Sequence, residues 1–327
     1  MVNNLNSIKM SNTLSINQKI KKFDKEIIVS GDKSLSIRWV LLASQAIGKS
    51  KGYNLLMSED VVAALETVKK LGIKVSVHKD YCEIFGNGIN GFKYKDGLVI
   101  DAKNSGTLGR LILGLLIKSS KKIKVIGDKS LSKRDFSRVT IPLQKFGAKF
   151  YYKTKNKLPL SILGSQSPKG ISYIENKGSA QCKSSIMLAA LNSSGTTCIK
   201  AKKSRNHSEL LFKYLKIPIK IKKTKKYDFI NIKKPKKINA FNYQIPGDIS
   251  SSAFFMVLTM LTNNSRLLIK NVNINPSRAG VITILKKMGA KISLKNKKNY
   301  RGEKISDILI QSSKYLKSIN CPSELNS

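Results

Sequence analysis

The string Gly-Asp-Lys-Ser-Leu-Ser occurs twice in this chain, at residues 31–36 and 127–132, and an arginine follows each copy two residues later. Glycine permits a tight turn, while aspartate and serine begin helices whose exposed N–H groups attract anions. Lysine adds a point charge, and arginine adds a planar fork that fits a carboxylate or a phosphate. These residue types predict binding of anionic ligands, and two copies indicate a site for more than one anion.

The elements that must position these residues follow an internal repeat. Small or hydroxyl residues precede an apolar helical run four times, near positions 31, 104, 178 and 247, which are spaced by 73, 74 and 69 residues. A second series, in phase with the first, joins a helix end to an alternating strand at Gly72, Gly147, Ile217 and Gly289. The chain is therefore predicted to be an α/β protein of four repeated units.

The start of each first helix is a candidate anion site, because the helix dipole favours negative charge there. Taken singly, each start is explained by ordinary helix capping. Four starts in phase, with Lys33, Arg38, Arg110 and Lys183 close by, favour a shared anionic ligand. The duplicated strings lie 96 residues apart and so occupy different places in their units. Lys129 and Ser130 of the second copy are expected to be turn and surface residues.

The formal net charge is +42, from 61 basic and 19 acidic residues. Lysines are spread along the whole chain together with many Asn and Ile residues, which indicates a general compositional bias. A basic nucleic-acid-binding protein is the alternative, but stretches such as residues 216–226 lack the aromatic residues that stack on bases. Arginine is scarce, so its positions are more informative. Of the eight arginines, Arg266 and Arg301 are expected to be ordinary surface residues.

Several classes of protein are disfavoured by the same composition. The four cysteines form no CxxC pair and there are only two histidines, which argues against a zinc site or a disulfide framework. No apolar run reaches membrane-spanning length, and residues 1–25 lack the apolar core of a signal peptide. A cytoplasmic protein that uses no metal is expected.

Seven segments resemble, in the right order, the motifs of the EPSP synthase family. Residues 30–38 resemble its N-terminal signature, and residues 104–107 (Asn-Ser-Gly-Thr) resemble its phosphoenolpyruvate loop. The other matching segments are residues 127–134, 179–184, 204–209, 246–251 and 275–278. Any one of them is a weak signal, but the ordered set is specific and covers about residues 27–327.

The resemblance implies the two-domain enolpyruvyl transferase fold, an inside-out α/β architecture with three βαβαββ units in each domain. Residues 30–244 would form the complete domain that binds shikimate-3-phosphate, and residues 1–29 with 245–327 would form an incomplete second domain with one unit. The family moves the enolpyruvyl group of phosphoenolpyruvate to the 5-hydroxyl of shikimate-3-phosphate and releases phosphate, in the shikimate pathway of aromatic amino acid biosynthesis. It implies no cofactor, no membrane, no specific nucleic acid, and a monomer when complete.

The resemblance also implies a set of site residues, with Lys33 as the catalytic residue that contacts both substrates. The residues that would bind shikimate-3-phosphate are Lys33, Ser34, Arg38, Ser179, Ala180, Gln181, Ser204 and Arg205. The residues that would bind phosphoenolpyruvate are Lys33, Asn104, Gly106, Arg134 and Gln181.

The chain departs from the family pattern in two ways. Lys103 stands where the family usually has glycine before Asn104, which adds a charge and alters the requirements of the turn. The family has six units and the repeat shows four, so a C-terminally truncated chain without turnover of its own is expected. The sister enzyme that acts on UDP-N-acetylglucosamine is an alternative, although it usually opens with Lys-Asn where this chain has Lys33 and Ser34.

Overall fold

The computed structural model describes residues 19–321. The helices in this range are α1 (Lys33–Ser44), α2 (Glu59–Lys70), α3 (Gly106–Leu115), α4 (Lys129–Ser132), α5 (Ser137–Lys145), α6 (Ala180–Ala190), α7 (His207–Tyr214), α8 (Ile249–Leu261) and α9 (Gly280–Lys287). The strands are β1 (Asp24–Ile28), β2 (Ile47–Tyr53), β3 (Lys74–Val77), β4 (Tyr81–Asn87), β5 (Val99–Asp101), β6 (Ile123–Ile126), β7 (Lys149–Tyr152), β8 (Leu160–Leu163), β9 (Ser172–Glu175), β10 (Thr196–Lys202), β11 (Ile219–Lys223), β12 (Tyr227–Lys233), β13 (Tyr243–Gln244), β14 (Arg266–Asn273), β15 (Lys291–Tyr300) and β16 (Glu303–Gln311).

The described strands form four sheets of four strands with one shared topology. Their orders are β13-β2-β4-β3, β5-β6-β8-β7, β9-β10-β12-β11 and β1-β14-β16-β15. In the second sheet β5 pairs with β6 in parallel, and β6 with β8 and β7 with β8 are antiparallel. With its helices this sheet reads βαβαββ along the chain, with the short α4 ahead of α5. The predicted α/β protein of four repeated units is confirmed.

Two of the units take their first strand from elsewhere in the chain. Strand β13 pairs in parallel with β2, while β1 pairs in parallel with β14. The chain segments that follow these two strands, residues 29–32 and 245–248, therefore run beside each other. Asp32 N donates to Pro246 O at 2.9 Å, and Asp248 N donates to Ser30 O at 3.0 Å. We call these two stretches the crossover segments.

Buried helices surrounded by sheets make up the larger hydrophobic core. Every residue from Leu35 to Ser44 of α1 is buried, and so is every residue of α6 from Cys182 to Ala190. A helix that is apolar all round must be covered on all sides. Strand β12 instead alternates and exposes every second residue, so one face of its sheet meets solvent. This core runs from Leu35 to Ile245.

A second, smaller core contains Val29 and the apolar residues of the last unit, from Ile249 to Ile310. Its helix α8 is more apolar than α1, yet Phe254 and Leu261 are 80% and 68% exposed. Among residues 19–321, no helix is both long and apolar enough to cross a membrane.

The first helix of each unit begins after a capping residue of the type used to predict its start. The N-cap side chains of Asp32, Ser105, Ser179 and Asp248 accept hydrogen bonds from the first turns of α1, α3, α6 and α8.

The second helices of the units end in a left-handed residue. Gly72, Gly147 and Gly289 have φ of 82°, 96° and 101°. In the remaining unit this residue is Lys216, with φ 55°, so the predicted position at Ile217 was wrong by one residue.

Candidate functional site

The two copies of the duplicated string share one local geometry. Asp32 caps α1 by accepting from Leu35 N at 2.9 Å, and Asp128 caps α4 by accepting from Leu131 N at 2.7 Å. Lysine is the first helical residue in both copies. Helix α1 is long and central, whereas α4 has four residues and Lys129 is exposed. The likeness therefore reflects aspartate capping, and the copies occupy different places, as predicted.

Lys33 lies at the start of α1 between two acidic residues. Its Nζ is 3.3 Å from Asp60 Oδ2, and its backbone N donates to Asp248 Oδ2 at 3.2 Å. The side chain is 45% exposed, so the ammonium can reach a ligand and is held loosely by Asp60.

Arg38 lies one helical turn further along α1 and is buried. Its guanidinium donates to Ser208 Oγ at 2.8 Å, Ser184 Oγ at 2.9 Å and the carbonyl of Ser34 at 3.0 Å. Burial lowers the pKa of Arg38 to about 10, against the opposing effect of Asp32. The group stays charged at neutral pH and ties α1 to α6 and α7.

Lys183 is not a ligand-facing cation, although its place near a helix start suggested one. Its side chain is 0% exposed, and Nζ lies 2.6 Å from Oε1 of Glu209, which is 4% exposed. The contact lacks hydrogen-bond geometry, and neither group has a hydrogen-bond partner among the described residues. Lys183 therefore belongs to a buried ion pair between α6 and α7.

Three arginines meet at one cavity. Arg110, Arg134 and Arg138 line it together with Asp135, Ser179 and Gln181, so three cations meet one carboxylate, and its volume is about 330 Å³. Arg110 Nη1 donates to Gln181 Oε1 at 2.7 Å. Burial and the nearby charges of Arg134 and Arg138 lower the pKa of Arg110. Like charges held this close favour an anion, because it relieves their repulsion.

The loop before α3 lies next to this cavity and contacts it through Arg134. Asn104 accepts from Arg134 Nη2 at 3.4 Å and donates to Asp128 Oδ2 at 2.6 Å. Lys103 has φ 51°, the left-handed region that favours glycine, which explains why glycine is usual at this position. Its Nζ lies 2.9 Å from Asp101 Oδ2. The added charge of Lys103 is thus partly balanced by Asp101.

Gly106 begins α3 between two guanidinium groups. A Cβ at this position would lie 3.0 Å from Nη1 of Arg110 and 3.0 Å from Nη1 of Arg134. Gly106→Ala should therefore push both cations outward and weaken anion binding at the cavity by roughly tenfold, the loss of about 1.4 kcal/mol. Calorimetry with phosphoenolpyruvate, the anion that the resemblance implies for this loop, measures the change in affinity.

The matched control for this prediction is Gly109→Ala in the same helix. A Cβ there would make ordinary contacts at 3.4 Å with Ala102 and Phe136 and would not touch the arginines. Equal effects of the two substitutions would contradict the role given to Gly106.

The remaining predicted residues lie at helix starts or close to them. Ser179 caps α6, and Ala180 and Gln181 form its first turn. Ser204 Oγ is buried and has no hydrogen-bond partner among the described residues. Arg205, the next residue along the chain, is exposed. The pKa of Arg205 is lowered by burial and by the charge of Arg278, which outweigh the opposing effect of Asp32 and Asp248. The charges of these four residues therefore interact.

The structure groups the predicted residues around two centres. Lys33, Ser34, Arg38 and Arg205 lie around the start of α1, whereas the cavity gathers Ser179, Gln181 and Arg134, with Asn104 and Gly106 beside it. Arg138 was not predicted to contribute, and Arg110 was named only as a cation near a helix start, without a ligand assigned to it. Their signal was the scarcity of arginine in a lysine-rich chain.

The two arginines expected to be ordinary surface residues differ. Arg266 does form an exposed ion pair with Asp24 at 2.9 Å. Arg301 instead lies against three tyrosine rings, with its guanidinium carbon 4.7, 5.6 and 5.0 Å from the ring centres of Tyr214, Tyr243 and Tyr300. The expectation was wrong for Arg301, because tyrosines from three separate elements gather around it.

A buried polar network joins α7 to the last unit. Glu303 Oε1 lies 2.7 Å from Nδ1 of His207, and both side chains are 0% exposed. Its Oε2 accepts from Asn275 at 2.9 Å and from Asn273 at 3.3 Å. Burial raises the pKa of Glu303, but the hydrogen bonds from His207 and the two asparagines outweigh it, so the net pKa is lowered.

This network predicts a pH dependence of stability. A carboxyl whose pKa is lowered on folding stabilises the protein above its unfolded pKa of about 4.3 and loses that effect as the pH falls through its folded value. Glu303→Gln should cost about 2 kcal/mol at pH 7, and the gap to the wild type should shrink below about pH 4. Urea unfolding at several pH values measures it.

The control for Glu303 is Glu26→Gln, which removes an exposed contact of 2.7 Å to Lys270. Such pairs contribute less than about 1 kcal/mol. A gap for Glu303→Gln that stays constant down to about pH 3 would contradict the prediction.

Proteins of known structure share this architecture. An EPSP synthase from Acinetobacter baumannii superimposes with a TM-score of 0.83 at 35% identity, over 93% of this chain and 68% of that one. A second structure of EPSP synthase from the same organism gives a TM-score of 0.84 at 35% identity. The repeated sheets and the arginine cavity thus lie in a protein of the enolpyruvyl transferase class.

Sequence comparison gives the family within that class. Residues 17–320 match the family described as EPSP synthase (3-phosphoshikimate 1-carboxyvinyltransferase). A relative of that name from Ruthia magnifica is 42% identical over 298 residues, 91% of this chain and 67% of its own length. The Bacillus subtilis relative of the same name is 36% identical, over 90% and 68%. The chain belongs to the EPSP synthase family. These matches do not support the truncation that the count of four units predicted.

Proposed function

We propose that this chain serves the transfer of the enolpyruvyl group from phosphoenolpyruvate to the 5-hydroxyl of shikimate-3-phosphate, with release of phosphate, in the shikimate pathway. The meeting of Arg110, Arg134 and Arg138 at one cavity beside Gln181 carries the proposal. Both substrates bear a phosphate and a carboxylate, the groups that guanidinium forks and helix starts bind best. The names of the relatives agree with this assignment.

Shikimate-3-phosphate is proposed to bind where α1, α6 and the segment before α7 come together. The buried Ser204 Oγ lacks a partner among the described residues and lies beside the exposed Arg205. Arg38 uses three of its five N–H donors on protein oxygens, and the others are proposed for the ligand. The other proposed ligands are Lys33, Ser34, Ser179, Ala180 and Gln181.

Phosphoenolpyruvate is proposed to bind at the arginine cavity, held by Arg134, Gln181 and the backbone at Gly106, with Asn104 shaping the loop. Lys33 is proposed to contact both substrates and to stabilise the phosphate that leaves. The fixed guanidinium groups and helix dipoles would orient the two anions and would not need to rearrange during the reaction.

We also propose the division of the chain into residues 30–244 and residues 1–29 with 245–327. The two separate hydrophobic cores and the pairing of β1 with β14 support it; residues 1–18 and 322–327 of this division lie outside the described residues. A cytoplasmic location, a monomeric state and the lack of specific nucleic-acid binding stay predictions.

Calorimetry on the purified chain tests the proposed function. Shikimate-3-phosphate should bind alone, and phosphoenolpyruvate should bind in its presence, because the two anions are proposed to occupy neighbouring sites that share Lys33 and Gln181. UDP-N-acetylglucosamine should not bind, which excludes the sister enzyme. Folded protein that binds neither anion would overturn the proposal. A phosphate-release assay with both substrates tests the transfer itself, and it also decides the expectation, drawn from the count of four units, that the chain alone has no turnover.

A further inference from the structure

Arg278 lies between the two crossover segments and joins their helix caps. Its Nη1 donates to Asp32 Oδ2 at 3.0 Å, and its Nη2 donates to Asp248 Oδ1 at 3.2 Å and to Ser250 Oγ at 2.7 Å. Asp32 caps α1 and Asp248 caps α8. The side chains of Arg278, Asp32 and Asp248 are 6%, 0% and 9% exposed. One arginine therefore balances two nearly buried carboxylates.

The same two carboxylates lie beside residues that are proposed to bind ligand. Asp248 Oδ2 accepts from the backbone N of Lys33 at 3.2 Å, and Asp32 directly precedes Lys33. Arg205 interacts electrostatically with Arg278 and with both aspartates. The charge state of this cluster thus acts on Arg205, and its two aspartates hold the backbone from which the Lys33 side chain extends.

We propose that Arg278 is a positioning residue that neutralises Asp32 and Asp248, and so leaves Lys33 and Arg205 available to an anionic substrate. The inference rests on the proposed function. Arg278 acts through these carboxylates, because its three side-chain hydrogen bonds all go to the two cap aspartates and Ser250, and its side chain is almost wholly buried.

The physical reason is competition for positive charge. Without Arg278, two low-exposure carboxylates would be left unbalanced beside the guanidinium of Arg205 and at the base of the flexible Lys33 side chain, whose ammonium now lies on Asp60. Opposite charges attract more strongly where protein partly excludes water than they do in bulk solvent. The cations would turn inward to the aspartates, and an anionic ligand would have to displace them.

The experiment compares variants of the full chain by calorimetry with shikimate-3-phosphate. Arg278→Gln should bind roughly tenfold more weakly than the wild type. Adding Asp32→Asn should bring the affinity back to within about threefold, because asparagine caps a helix as well as aspartate but removes one charge. A residue with a purely structural role would not be rescued in this way.

Hydrogen exchange gives a readout that does not depend on the ligand. Amides in residues 31–36 and 247–252 should exchange faster in Arg278→Gln, because both caps lose their shared donor. If Arg278→Gln does not fold, Arg278→Lys serves instead, since a single ammonium cannot reproduce the fork that joins two carboxylates.

Wild-type affinity in a folded Arg278 variant would overturn the inference, and so would a loss of affinity that Asp32→Asn leaves unchanged. A wild-type chain that binds no shikimate-3-phosphate would overturn the proposed function. In that case the hydrogen-exchange measurement still tests Arg278. Unchanged exchange rates in residues 31–36 and 247–252 would show that Arg278 does not hold the two helix caps.

Discussion

Lys183→Met should lower the free energy of unfolding by about 3 kcal/mol, because it leaves the buried carboxylate of Glu209 without its partner. The two charged atoms lie 2.6 Å apart, and the side chains are 0% and 4% exposed. Glu209 also interacts with Arg38, which limits the loss to the lower end of the range for broken buried pairs. Urea unfolding measures the difference from the shift of the midpoint at constant slope.

Two further variants separate burial from simple contact. Lys183→Met with Glu209→Gln should recover most of the loss, since the pair itself contributes little net stability once desolvation is included. Lys69→Met removes a contact of 2.8 Å to Glu66 whose side chains are 41% and 54% exposed, and should cost less than about 1 kcal/mol. Equal losses for Lys183→Met and Lys69→Met would contradict the account of Lys183.

Lys183 also shows where reasoning from the sequence reaches its limit. Its motif and its place after a helix cap suggested a cation beside the ligand. Every residue of α6 from Cys182 to Ala190 is buried, however, and the acidic partner comes from the next helix of the unit. Whether a lysine near a helix start faces the protein surface or the core depends on how the helices pack. The residues next to it in the sequence do not determine this.

The repeated architecture was predictable because it depends on local rules. Aspartate and serine caps, apolar runs and glycines with positive φ each act within a few residues, and they recur in phase. The prediction missed Lys216 because the left-handed region is usually marked by glycine, and this unit has lysine there instead. The pairing of the short β13 with β2 is set by distant contacts.

The candidate site was predictable to the extent that arginine is rare in this chain. Arg38, Arg134 and Arg205 were chosen through the resemblance, Arg110 was noted near a helix start, and Arg278 lay in a matching segment without an assigned role. Scarcity could not separate a ligand-facing arginine from Arg301, which stacks on tyrosines. Nor could it show that Arg278 is used on two aspartates, since those contacts join residues 32, 248 and 278.

Lys33→Met should weaken binding of shikimate-3-phosphate by roughly 10- to 100-fold, the loss of one charge-assisted hydrogen bond of about 1.5–3 kcal/mol. Phosphoenolpyruvate should be affected too, since the ammonium is proposed to contact both anions. The fold should hardly change, because the ion pair of Lys33 with Asp60 is 45% and 23% exposed and such pairs contribute at most about 1 kcal/mol. Calorimetry and urea unfolding on the same sample measure both effects.

The duplicated string supplies the matched control. Lys129→Met changes the same residue in the same local setting, one position after an aspartate cap whose carboxylate accepts from the leucine three residues on. The net charge falls by one in both variants, so a long-range effect of charge on anion binding would lower both affinities equally. Loss in Lys33→Met alone would place the effect at the start of α1. Equal loss would mean that the general excess of lysine attracts the anions and that Lys33 has no special role.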